Sequence, residues 1–193
     1  IEKTALAEAE VEYHDKESFT VWVKFKVVGT GDKTLDSAKV VIWTTTPWTM
    51  PSNKAVVYGA DISYGLYEVI GRPEECWANI GERFILSDSL AEDVLGRARL
   101  DTTMFRRLCD ITQDDLAKIE LQHPLHGTEG GEGEWDDIRD FRSADFVTDT
   151  EGTGFVHCAP SHGMEEFELY RDLGMLEEVI TYNVMEDGRF RAD

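Results

Sequence analysis

Residues 18–28, SFTVWVKFKVV, constrain the fold more than any other stretch. Phe19, Val21, Val23, Phe25 and Val27 fall on one side of a two-residue repeat, with Thr20, Trp22, Lys24 and Lys26 on the other. Side chains alternate across a strand, so this pattern buries one face only when extended, and an extended strand needs neighbours. The chain provides them. A polar turn, GTGDKTLDS, leads into an apolar run at 38–43, and KAVVYG, SYGLYEVI and ERFILS follow as three further strands set apart by Gly, Asp and Pro. SADFVTD and GTGFVHCA resume the signal beyond residue 140. Two segments have helical spacing instead. DSLAEDVLGRAR (88–99) aligns Leu90, Ala91, Val94, Leu95 and Ala98 on one stripe, with Asp88 as the cap and Arg97 and Arg99 suited to the C-terminal dipole. HGMEEFELYRDLG (162–174) offers Met164, Phe167, Leu169, Tyr170 and Leu173 for burial and stops at Gly174. Between the two helices, residues 126–140 are rich in glycine and acid and read as an exposed, mobile loop. Many short strands with two helical interruptions predict a mainly β fold with helical insertions, a closed or nearly closed β-barrel. The strict strand–helix alternation of a doubly wound sheet is absent.

At 193 residues the chain can bury one well-formed core without disulfides or metal. Thirty-nine acids against 19 bases give a net charge of −20, which excludes an autonomous nucleic-acid binder with a broad basic footprint. Nucleic acid could be touched only at one small place, or held by other parts of a larger molecule. Cys76, Cys109 and Cys158 are widely spaced and odd in number, which points to reduced thiols and a cytoplasmic setting. No apolar run approaches the roughly 20 residues of a membrane span. The opening IEKTALAEAEVEYHD has neither an initiator Met nor a signal-peptide pattern, so the expectation is a single domain, 1–193, cut from a longer protein, with about 1–15 and 185–193 as connecting segments.

Two stretches carry more than fold information. In VVIWTTTPWTMPSN (40–53), the β-branched Val40, Val41 and Ile42 read as a buried strand that Pro47 and Pro51 bring to an end. Thr44, Thr45, Thr46 and Thr49 then stand at a strand end, where hydroxyls can face a pocket; a Thr-rich edge strand explains them equally well. In GTGFVHCAPSHGMEEF (152–167), His157 and Cys158 end a strand, and Pro160 and Gly163 bracket a turn into a helix. The plain reading of His157 is a hydrogen-bonded histidine at a sheet edge, and that of Glu165 and Glu166 is first-turn acids complementing a helix dipole. A thiol nucleophile at Cys158 with His157 or His162 as base lacks an activating partner, since adjacent strand residues face opposite ways. A metal set of His123, His126, His157 and Cys158 is interrupted by Pro124 and has no paired cysteines. Neither phosphate-cradling glycine motif occurs.

Together, WTTTPWTMPSN and GTGFVHCAPSHG resemble the two signature segments of the editing domain inserted into isoleucyl-tRNA synthetases, a domain type shared with the valyl and leucyl enzymes. Those two relatives typically carry Thr-Thr-Arg-Pro where this chain has Thr-Thr-Thr-Pro, and usually lack a histidine at the position of His157. Thr46, Trp48, Pro51, Asn53 and His157 therefore favour the isoleucyl branch, and the likeness extends through EYHDKESFTVWVKF to the whole chain. The resemblance implies hydrolysis of valine wrongly esterified to the 3′ end of tRNA(Ile), with isoleucine excluded by size. It implies that Thr44, Thr45 and Thr46 line the adenosine and ester side, with Thr45, Thr46 and Glu166 carrying the chemistry around a water nucleophile. It further implies that Thr49 and His157 form the size-excluding wall, that Trp48 contacts substrate, and that Glu166 holds the substrate ammonium. The family usually has aspartate at that last position, so Glu166 departs from it by one methylene. No cofactor or metal is implied for this domain; ATP and magnesium, and as a further option a structural zinc, belong to the parent. The implied partners are the tRNA end and the remaining domains of the synthetase, with no membrane. Two alternatives stay open: a degenerate insert that only guides the tRNA end, and an editing domain of valyl or leucyl type.

Overall fold

The structure, a computed structural model, describes residues 12–15, 17–129 and 133–191. Its described residues form nine strands: β1 (Val21–Val28), β2 (Lys39–Thr44), β3 (Ala55–Tyr58), β4 (Tyr64–Val69), β5 (Arg83–Ser87), β6 (Phe105–Ile111), β7 (Glu120–Gln122), β8 (Ile138–Ser143) and β9 (Phe155–Cys158). Four helices accompany them: α1 (Ala91–Arg97), α2 (Gln113–Leu116), α3 (Met164–Asp172) and α4 (Leu176–Val179). A short 3-10 helix, Pro47–Ser52, follows β2. The strands make one sheet in the order β6-β4-β5-β2-β1-β7-β8-β3-β9. Neighbours are antiparallel except for the pairs β2–β5 and β3–β8, which run parallel.

Alternation along the strands divides the apolar residues among three cores. Val40 and Ile42 of β2, Leu66 of β4, Ile85 of β5, Val56 and Tyr58 of β3 and Phe155 of β9 meet inside the curl of the sheet. The intervening residues face outward: Val41, Tyr67, Phe84 and Leu86 pack under Ala91, Val94 and Leu95 of α1. Ala55, Val57 and Cys158 do the same under Tyr170 of α3 and Val179 of α4. Covering by helices on the outer face explains why these strands are apolar at successive positions.

The sheet does not close into a barrel. The edge strands β6 and β9 are hydrogen-bonded only to β4 and β3, respectively. Side chains bridge the seam instead: Tyr64 of β4 stacks on Phe155 of β9 at 4.8 Å and donates its hydroxyl to the Gly154 carbonyl at 2.7 Å. Gly154 is required there, with φ of 78° and a position where a Cβ would lie 2.5 Å from that of Ser87.

Other expectations need correction. Phe19 is 90% exposed and precedes β1, so the inward face of that strand begins later, and it is Phe25 and Val27 that are fully buried. The stripe of α1 is buried as expected, but Asp88 does not cap it; Asp88 instead accepts the Tyr67 hydroxyl and a two-point bond from Arg107. SADFVTD forms no strand beyond Ser143, the last residue of β8, and that strand begins inside the stretch read as loop. The described part of that loop is anchored, since Trp135 donates its indole N–H to the Pro51 carbonyl and Arg139 donates to that of Glu134. In α3, Met164 is exposed and Leu173 nearly half exposed, while Tyr170 is buried. Gly174 ends the helix with φ of 72°. Of the expected connecting segments, 1–11 and 192–193 lie outside the described residues, and 185–191 folds back through a bridge between Val184 and Phe190.

Candidate active site

A pocket of about 380 Å3 opens between the end of β2, the 3-10 segment, the end of β9 and the start of α3. Thr44, Thr46, Trp48, Thr49, His157 and Glu166 all line it. Thr45 does not: it lies in the bend that follows β2 and is exposed. Trp43, Val156, Ala159, His162 and Gly163 complete the lining. Of these five only His162 had been weighed for chemistry, as a base for Cys158; the other four adjoin or lie close to residues that stood out by type.

The threonines form a short hydroxyl chain. Thr44 Oγ1 lies 3.2 Å from Thr46 Oγ1 and accepts the Thr46 backbone N–H at 3.0 Å. Thr49 donates its hydroxyl to the Thr46 carbonyl at 2.8 Å, which leaves its oxygen to accept a second bond. That bond comes from His157, whose Nε2 lies 2.9 Å away. The assignment follows from Asn53. Its amide nitrogen lies 2.7 Å from the Ala55 carbonyl, which can only accept, and 2.7 Å from His157 Nδ1. Nδ1 is therefore an acceptor and the proton sits on Nε2. Asn53 thus donates to His157, His157 to Thr49 and Thr49 to the backbone. Burial pushes the imidazole pKa down to about 4, with His123 and His162 adding like-charge repulsion. A neutral ring with both nitrogens engaged holds a wall; it is not poised to take a proton.

A second histidine backs this wall. His123 Nδ1 accepts the Leu125 N–H, so its Nε2–H donates to the Met50 carbonyl at 3.0 Å. Its ring stacks on Trp135 with an interplanar angle of 12°. Both contacts brace the turn that carries Trp48 and Thr49. His123 and His157 thus spend their nitrogens on separate partners and His126 pairs with Asp136, so the four residues weighed as a metal set do not converge. No group of three or more candidate ligands gathers among the described residues.

Glu166 enters from the opposite side, in the first turn of α3, whose N-cap Gly163 offers no side-chain cap. The carboxylate folds back over Gly163 so closely that a Cβ there would lie 1.7 Å from Glu166 Oε2. Burial raises the Glu166 pKa above the ordinary carboxylate value, its own backbone N–H opposes this, and Glu165 adds like-charge repulsion. Glu165 itself is exposed and lines no part of the pocket. Cys158 is buried, and its thiol pKa is pushed up, the reverse of what a nucleophile needs.

No protein-family model matches the chain. The isoleucine–tRNA ligase of Ruegeria pomeroyi is 75% identical to it over 193 residues, which is 100% of this chain and 20% of that protein. The isoleucine–tRNA ligase of Rhodopseudomonas palustris is 46% identical over 97% of the chain and 19% of its own length. Among solved structures, the CP1 domain of GlLeuRS superposes with a TM-score of 0.60 at 17% identity, covering 86% of this chain and 70% of that one. The editing domain of the Plasmodium falciparum cytosolic leucyl-tRNA synthetase gives 0.58 at 10% identity, covering 88% and 71%. The chain spans about a fifth of the length of the ligases it matches. By sequence it is a counterpart of one segment of the isoleucyl-tRNA synthetases, and by fold that segment is similar to the leucyl-enzyme editing domains.

Proposed function

We propose that this domain hydrolyses the ester of valine on the 3′ end of tRNA(Ile) and spares the isoleucine ester. The observation that carries the reading is the meeting of Thr44, Thr46, Trp48, Thr49, His157 and Glu166, drawn from four separate elements and the bend between two of them, around one small cavity. A synthetic site rejects a smaller side chain poorly, and the isoleucine–valine pair is the standard illustration of that limit; a second site that admits only the smaller product restores the discrimination. The wall of Thr49 and His157 suits that task because its hydrogen bonds hold both side chains in one geometry. The Glu166 carboxylate, raised in pKa by burial, has a use for a cation, and the ammonium of an aminoacyl ester supplies one. The Thr44 and Thr46 hydroxyls offer donors and acceptors to the ribose and ester. Water attacks the ester carbonyl, and the products are free valine and the tRNA ribose hydroxyl. The exposed Thr45 takes no side-chain part in the pocket in this arrangement.

With a charge of −20 the domain has little to hold a tRNA body, which then falls to the rest of the synthetase. The test is deacylation of Val-tRNA(Ile) and Ile-tRNA(Ile) by the full-length protein. Loss of the valine ester alone is expected. His157→Ala or Thr49→Ala should open the wall and expose the isoleucine ester to hydrolysis. Equal cleavage of both esters by the wild type sinks the size-sieve reading, and an intact isoleucine ester in both variants removes the wall.

A further inference from the structure

Trp43 belongs to two cavities. One is the pocket of the threonines; the other is a groove of about 570 Å3 on its far side, lined by Trp22, Arg97, Asp93, Glu151 and Gly152, among others. Trp22 and Trp43 are direct cross-strand partners on β1 and β2, with ring centroids 6.3 Å apart and a tilt of 41°. Arg97, at the end of α1, holds its guanidinium 5.9 Å from the Trp22 ring. The loop before β9 passes the Trp43 ring at Gly152, whose φ is 76° and where a Cβ would lie in ordinary contact, 3.9 Å from the ring. Two indoles and a guanidinium at one site make a platform for a flat, electron-rich ring. Asp93 and Glu151 bring acceptors to the same groove, which suits a ring carrying an exocyclic amine.

We propose that this groove is a nucleobase subsite, which stacks the cytosine that precedes the terminal adenosine while the aminoacyl adenosine occupies the adjoining pocket. The proposal rests on the editing reading of that pocket. A cavity beyond His162 and Gly163 also adjoins it, but Pro160, Met164 and Phe167 line it without a cation or an indole. The base therefore leaves by the tryptophan side. Such a subsite gives an acidic domain a hold on the tRNA end that needs almost no phosphate contact, because stacking depends on the ring and not on the backbone charge.

The test compares two small esters with the full-length protein: valyl-adenosine, and the valyl ester of the cytidylyl-adenosine dinucleotide. The wild type should cleave the dinucleotide ester with a kcat/KM roughly tenfold or more above the adenosine ester. An abasic residue in place of the cytosine should abolish that advantage. Trp22→Ala and Arg97→Gln should abolish it too and leave valyl-adenosine cleavage unchanged; Arg97 is exposed, so its variant separates the subsite from any folding defect at Trp22. Equal cleavage of the two esters by the wild type, or an equal loss on both in the Arg97 variant, overturns the subsite alone. Cleavage of neither ester by the wild type overturns the editing reading together with it.

Discussion

The two sides of the pocket are built on opposite principles. On the β9 side, His157 has a partner for each nitrogen, and the bonds run in one direction from Asn53 to the Thr46 carbonyl. On the α3 side, Glu166 is half buried, and no cation among the described residues lowers its pKa. A satisfied network fixes shape, whereas a carboxylate left short of countercharge is ready to bind. The difference teaches how exclusion and attraction can share one cavity: the excluding side must not move, and the attracting side must not already be paired.

Acid should break the first side with the largest effect. His157 and His123 are both held near a pKa of about 4, against about 6.5 in an unfolded chain. Between those values the unfolded chain binds more protons, so stability is full above about pH 6.5 and falls as pH drops toward 4. The loss is at most on the order of 3 kcal/mol per histidine. Urea midpoints at pH 7 and 5 would report it, and His123→Gln with His157→Gln should flatten the slope. Glu166, with its pKa raised, works in the opposite sense, being relieved of charge as pH falls. A midpoint that does not change over this range would mean that the wall is wet and its imidazoles ordinary.

The second side should break by charge removal. If Glu166 holds the substrate ammonium as proposed, Glu166→Gln deletes a charge-assisted bond of about 1.5–3 kcal/mol, so deacylation of Val-tRNA should slow roughly ten- to a hundredfold. Folding should hardly respond, because a first-turn acid contributes only about 0.3–1 kcal/mol through the dipole. Glu166→Asp should keep or raise the rate, and Glu165→Ala should leave it alone. Equal losses at 165 and 166 would reduce both to helix-start acids.

The smallest change in stability, and the sharpest on position, is Gly163→Ala. Its φ of −118° accepts alanine, and the nearest atoms that a Cβ would meet belong to the flexible end of Glu166. Thermal stability should stay within about 0.5 kcal/mol of the wild type, while deacylation slows as the carboxylate swings out of the pocket. A normal rate would show that Glu166 works equally well from another rotamer.

How much of this was legible beforehand depended on whether a residue's role is local. The strands β2–β5 and the stripe of α1 could be read because the burial period shows in the sequence itself. The threonines and His157 could be read as strand-end groups, and the family likeness supplied their roles. Trp135 could not: glycine and acid around it signal a loop, and its anchor at Pro51 lies 84 residues away. The open seam was equally hidden, because short alternating strands fit a closed barrel as well as a curled sheet, and closure is decided by what the two edges meet. Thr45 shows the limit within a motif, since a run of three identical residues conceals where the strand ends and which of them the following bend leaves exposed.

The bond between Thr49 and His157 spans 108 positions of sequence. The entropy of closing so long a loop must be met before either partner gains anything from the other, so the wall belongs to the late events of folding. A chain growing from its N-terminus carries the threonine turn long before it carries the histidine that completes it. On the proposed reading, specificity at this site is acquired in time as well as in space: the threonines that would meet the ester exist first, and the histidine that would refuse isoleucine arrives with β9.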